Sequence, residues 1–304
     1  MPVIRAYLQL VRFPAVFSAM ADIFLGFLLV HSSLDVDGSP LPFLLLLAAS
    51  SCLYLAGMAF NDIFDRKVDA AERPNRPIPS GRVPLRSAIC LGTGLVAGGI
   101  TAAGFVGGGS LIVACLLVAA IICYDGLLKQ TFLGPPMMGA CRTLNVLLGA
   151  SAAGDLTALL DQPTIAIAAS YGIYIAGLTW FARNEAVQSK RGRLIASAAV
   201  INIGLVALIA WAVLDNCGLG GRAPRSNVLF AAAVIAVVVN RGLWLAVSQP
   251  SPERVQRAVK TMLQWLIVLN ATLVYAATGD AYYGILTASL MLPAVVLGYW
   301  LYVT

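Results

Sequence analysis

Ten apolar runs separated by polar interruptions set the rhythm of this chain. They fall near 14–30, 41–60, 86–106, 109–124 and 132–153, then near 163–182, 194–214, 227–247, 260–277 and 282–302. Most approach the roughly 20 residues that a helix needs to cross hydrocarbon. Within lipid every backbone N–H and C=O must be satisfied by the protein itself, and a helix does so within one segment. The pattern therefore predicts an all-α, multi-pass transmembrane bundle.

Composition agrees with the pattern. Hydrophobic residues make up 60% of the 304, charged residues 11%, and the mean hydropathy is +0.85. A soluble domain carries about 25% charged residues, so a water-soluble fold is excluded. No soluble appendage interrupts the pattern, and 1–304 reads as one integral-membrane domain. The start, MPVIRAYLQLVRFP, reads as an uncleaved first helix, because no small-residue cleavage site follows a short apolar core.

The charges alternate between connections. Arg5 and Arg12 precede the first run, and six basic residues fall between Arg66 and Arg86. Lys129, the group Arg183, Lys190, Arg191 and Arg193, and the group Arg254, Arg257 and Lys260 follow later even-numbered runs. The intervening connections are acidic or neutral, apart from the one with Arg222 and Arg225. By the positive-inside rule the basic connections face the cytoplasm, and the expected location is the cell membrane. The net charge of +6 is thus mostly topological and no nucleic-acid footprint. His31 is the sole histidine, which excludes a His-based metal site, and the six cysteines are scattered as packing residues.

One interruption is different in kind. Residues 61–83 read NDIFDRKVDAAERPNRPIPSGRV. On a helix continuing from the second run, Asp62, Asp65 and Asp69 stand at i, i+3 and i+7 on one face. Three carboxylates so placed repel one another unless a cation joins them. All-oxygen ligands suit Mg²⁺, which takes one or two carboxylates and completes its shell with water and substrate phosphates. Pro74, Pro77 and Pro79 then end the helix in a stiff loop that carries Arg73, Arg76 and Arg82. Guanidinium groups favour bidentate phosphate contacts. A solvated positive-inside loop would explain the arginines alone, but not the aspartates before them.

The pattern NDxxDxxxD followed by RPxRP, met in full by Asn61, Asp62, Asp65, Asp69, Arg73, Pro74, Arg76 and Pro77, resembles the first aspartate motif of the UbiA superfamily of intramembrane prenyltransferases. Arg12-Phe13-Pro14 resembles that family's basic entry to its first helix. Tyr124 to Lys129 is similar to its Tyr-x-x-x-Lys signature with the lysine displaced by one, and Arg142 and Asn145 follow in the fifth run. The resemblance implies nine spans around a central cavity, against the ten runs seen here. It also implies Mg²⁺-dependent transfer of a prenyl group from a polyprenyl diphosphate to an aromatic or lipidic hydrophobic acceptor in the membrane. The aspartates would be catalytic and hold the metal; Asn61, Arg73, Arg76, Lys129, Arg142 and Asn145 would contact substrate.

The chain departs from the family at the end of the sixth run. TWFARNEAVQSKRGR has no aspartate where a second metal motif is expected. Arg183, Glu185 and Lys190 are the substrate-binding candidates there: either Glu185 holds an ion, or Arg183 with Lys190 meets the phosphate in place of a second ion. Two other functions fit parts of the pattern. A catalytically silent prenyl-diphosphate-binding relative would keep the first motif and lose the second. A lipid carrier would use ten helices, though carriers place broken helices at the midplane. Polar residues within spans are functional candidates by default: here Asp22, Arg142, Asn145 and Asn240-Arg241.

Overall fold

A computed structural model describes residues 2–153, 162–183, 190–214 and 223–302. A short amphipathic helix, α1 (Pro2–Leu10), precedes the apolar runs. The first five runs become α2 (Val16–Val30), α3 (Leu41–Phe64), α5 (Leu85–Val106), α6 (Gly108–Cys123) and α7 (Gly134–Ala150). The next four become α8 (Gln162–Ala182), α9 (Arg191–Val213), α10 (Arg225–Ser248) and α11 (Pro252–Thr278). The polar α4 (Arg66–Glu72) follows α3 after Asp65. The last run divides into α12 (Ala281–Ser289) and α13 (Met291–Tyr302). Pro293 explains the division, since its ring and missing N–H disturb the turn that reaches back to Ser289.

Among the described residues, nine helical stretches are long and apolar enough to cross a membrane. The fifth run is the exception: α7 has 17 residues and carries Arg142 and Asn145. Its direction still requires a crossing. α7 follows Lys129, which reaches Asp65 of the polar stretch, and α8 ends at Arg183, which donates to the Gln130 carbonyl. α7 therefore leaves the polar end and α8 returns to it. α13 also finishes there, because Arg5 and Gln9 of α1 donate to the carbonyls of Trp300 and Leu301. With α7 counted by its direction, the described residues make ten crossings, one more than the nine that the resemblance implied.

Helix contacts in lipid depend on close backbone approach through small residues. At the α2–α7 contact, a Cβ on Gly26 would lie 1.9 Å from the Val146 carbonyl oxygen, and one on Gly149 would lie 2.7 Å from that of Ile23. That contact sets Asp22 of α2 against Arg142 and Asn145 of α7.

Candidate active site

The polar stretch folds largely as its spacing predicts. Asp65 N–H donates to the Asn61 carbonyl at 3.0 Å and Asp69 N–H to that of Asp65 at 2.9 Å, so helical bonding carries on from α3 into α4. Arg76 returns from the proline loop, and its Nη1 reaches Asp62 Oδ1 at 3.1 Å and Asp69 Oδ2 at 2.6 Å. One guanidinium nitrogen thus spans both ends of the aspartate face. Arg12 adds contacts of 3.4 Å to Asn61 Oδ1 and Asp62 Oδ1. It does so from a left-handed backbone conformation, φ 46°, that is uncommon for a residue with a side chain. Lys129 pairs with Asp65 Oδ2. Asp62 and Asp69 are buried, while Asp65 is partly open.

These ion pairs stand beside a cavity at the polar end of the bundle. Its walls are overwhelmingly apolar and include Tyr54, Met58, Leu117, Ile121 and Met138. Asn61, Tyr124, Asp125, Arg142 and Asn145 bring polar atoms to it. Asp125 lies in a π-helical turn, Tyr124–Leu128, closed by the Lys129 N–H bond to the Tyr124 carbonyl at 2.8 Å. Such turns recur at functional sites. Asn61 Nδ2 donates to Asp125 Oδ1 at 2.8 Å.

Arg142 and Asn145 belong to a second, deeper cluster. Asp22, fully buried, faces Arg142 Nε at 3.2 Å through Oδ2 and Arg142 Nη2 at 3.4 Å through Oδ1. It also accepts from Asn145 Nδ2 at 2.9 Å, Tyr171 Oη at 2.8 Å and Asn270 Nδ2 at 2.9 Å. Four helices, α2, α7, α8 and α11, therefore meet at one carboxylate. These bonds engage Arg142 Nε and Nη2, while Nη1 has no hydrogen-bond partner among the described residues.

The remaining expected residues separate. Arg73 and Lys190 are exposed and contact none of the aspartates among the described residues. Arg183 sits against the loop after Lys129, on the polar side of the bundle. Glu185 lies outside the described residues. Sequence reasoning left Asp125, Tyr171 and Asn270 out of the site. Asp125 had a signal, its place beside Tyr124 in the Tyr-x-x-x-Lys-like signature; Tyr171 and Asn270 had none stronger than polarity within a span.

Metal binding can be judged from the donor set. Among the described residues no three carboxylate, thiol or imidazole side chains form a ready cluster for an ion. Asp62, Asp65 and Asp69 nonetheless each keep one oxygen, Oδ2, Oδ1 and Oδ1 respectively, outside their ion pairs. Hard oxygens from one or two carboxylates, completed by water and phosphate, are what Mg²⁺ takes. The donor set fits that ion in company with a diphosphate better than a closed cage.

The sequence model described as the UbiA prenyltransferase family matches residues 20–267. A digeranylgeranylglyceryl phosphate synthase of Methanopyrus kandleri is 38% identical over 135 residues, 44% of this chain and 46% of that one. A synthase of the same name from Sulfurisphaera tokodaii is 29% identical over 147 residues, covering 48% and 52%. The chain thus spans about half the length of the curated relatives it matches. The apo structure of a UbiA homologue from Aeropyrum pernix superposes with a TM-score of 0.66 at 22% identity, over 85% of this chain and 96% of that one. A UbiA homologue from Archaeoglobus fulgidus bound to DMAPP and Mg²⁺ gives 0.56 at 15% identity, over 93% and 99%. At these identities the superpositions speak to fold, and the family match covers most of the sequence. The chain belongs to the UbiA prenyltransferase family.

Proposed function

We propose that the chain transfers a prenyl group from a polyprenyl diphosphate to a hydroxyl of a glycerol-phosphate-type lipid within the membrane, with Mg²⁺. The observation that carries this reading is the paired cluster of Asp62, Asp65 and Asp69 with Arg76 and Lys129, set beside an apolar cavity. The acceptor class is suggested by the synthase name that the relatives share. The homologue bound to DMAPP and Mg²⁺ supports the donor class and the metal.

On this reading Asp62, Asp65 and Asp69 hold the metal, which when bound neutralises charge growing on the departing diphosphate. Arg76 and Lys129 turn from their carboxylates to the phosphates, placing positive charge where negative charge develops. The cavity walls keep water from the allylic carbon once its bond to oxygen weakens. Arg12 fixes Asn61 and Asp62 in place. Arg183 borders the same end and adds charge where the family's second aspartates are absent. The polar end faces the cytoplasm of the cell membrane, as the basic connections suggest.

The test uses purified protein, Mg²⁺, labelled prenyl diphosphates of several lengths, and a glyceryl phosphate lipid with one free hydroxyl. Expected are release of diphosphate and a product heavier by one prenyl group, both abolished by a chelator. Tight diphosphate binding without any product would favour the silent relative instead.

A further inference from the structure

Resting on that reading, we propose that Asp125 is a catalytic residue that accepts the proton of the attacking hydroxyl. A hydroxyl that attacks carbon must lose its proton during or after bond formation, and a water-poor cavity leaves that proton to the protein. Among the described residues Asp125 is the sole carboxylate on the cavity wall.

The other acids nearby are already committed. Asp62 and Asp69 share Arg76, Asp65 holds Lys129, and Asp22 is fully buried under Arg142 and three neutral donors. Among the described residues Asp125 has no ion-pair partner within 4.0 Å. Its Oδ1 takes a hydrogen bond from the neutral Asn61 side chain, and among the described residues no donor meets Oδ2. Asn61 also accepts from Arg12, so the amide is held from both sides and in turn fixes the carboxylate. A carboxylate aimed by one neutral bond, with its second oxygen uncommitted, is suited to accept a proton.

The step balances without further reactants. The acceptor oxygen forms a bond to the prenyl carbon, while the bond from that carbon to diphosphate breaks and its electron pair leaves with the phosphate. The hydroxyl proton moves to Asp125 Oδ2 and afterwards returns to water when the cavity opens.

Asp125→Asn gives a sharp test, because the new amide oxygen can still accept from Asn61 while the side chain no longer takes a proton. Single-turnover transfer from geranylgeranyl diphosphate to the hydroxyl lipid should fall about 10²–10⁴-fold, the usual range for a positioned acid–base group. Donor affinity without acceptor should stay within about two-fold of the parent, and Asp125→Glu should recover part of the rate. An acceptor with a thiol in place of the hydroxyl ionises far more readily, with a pKa of about 8.5, and should restore transfer in Asp125→Asn. Near-parental transfer by Asp125→Asn overturns the assignment. So does an equal loss with the thiol acceptor, or a loss explained by weaker donor binding. If the parent protein itself transfers nothing to either acceptor, the transferase reading fails first and the assignment falls with it.

Discussion

Arg142→Met should destabilise the bundle more than any single change at the polar end. The substitution removes both contacts of Arg142 to Asp22, at 3.2 and 3.4 Å, and leaves a fully buried carboxylate with only neutral donors. Breaking a buried pair from one side typically costs about 3–5 kcal/mol. Asn145, Tyr171 and Asn270 still donate to Asp22, which argues for the lower end, about 3 kcal/mol. The measurement is unfolding in mixed micelles titrated with a denaturing detergent, followed by circular dichroism. A double-mutant cycle isolates the pair. Asp22→Asn placed on Arg142→Met removes the stranded charge, and should recover at least about 1 kcal/mol of the loss, within the usual range for groups in one network. Additive losses, or a cost for Arg142→Met below about 1 kcal/mol on the same scale, would refute the counter-ion argument. Donor affinity should change less in Arg142→Met than in Arg76 variants, because Arg142 is held in the deeper cluster by the fully buried Asp22, whereas Arg76 pairs with the aspartates of the polar end.

Arg76→Ala should weaken donor binding about ten-fold or more, the loss of one charge-assisted contact, and Arg76→Lys should fall between it and the parent in a diphosphate titration. Arg183→Ala should weaken diphosphate binding even at saturating Mg²⁺; rescue by added metal would mean that Glu185 supplies a ligand there. Gly26→Ala should lower the detergent-unfolding midpoint, since its methyl would meet the Val146 carbonyl at 1.9 Å and push α2 from α7; an unchanged midpoint would show that the contact yields freely.

The parts of the site that share one helix were legible in the sequence. Asp62 and Asp69 stand seven apart, and helical geometry alone placed them where one arginine could bridge them. The ten apolar runs were equally legible, because hydrocarbon imposes length and polarity on each span separately. What sequence could not supply was pairing at a distance. Asp22 and Arg142 lie 120 positions apart, and nothing local distinguishes a counter-ion from a ligand. Arg142 and Asn145 line the cavity and also bond Asp22, a partner that nothing near them in the sequence announces. Arg73 matched the motif as well as Arg76 did, but only Arg76 folds back onto the aspartates. Asp125 was left out of the site because its aim depends on a π-helical turn that no periodicity announces. Arg12 was noticed for its place before Phe13-Pro14, while its left-handed backbone and its reach to Asn61 belong to the fold.

At the polar end, Arg12, Arg76 and Lys129 face Asp62, Asp65 and Asp69, three positive charges against three negative. Those six groups balance one another before any ligand arrives. A diphosphate alone would draw the cations away and strand the carboxylates; a divalent ion alone would strand the cations. On the proposed reading, the two arriving together would let each paired charge exchange one partner for another, with little change in the total that must be kept from water. Affinity for either ligand would then be a joint property of both, and by linkage each would raise the other's by the same factor. The lattice of internal ion pairs would thus act as a coincidence detector, holding the site shut to free phosphate and free metal alike.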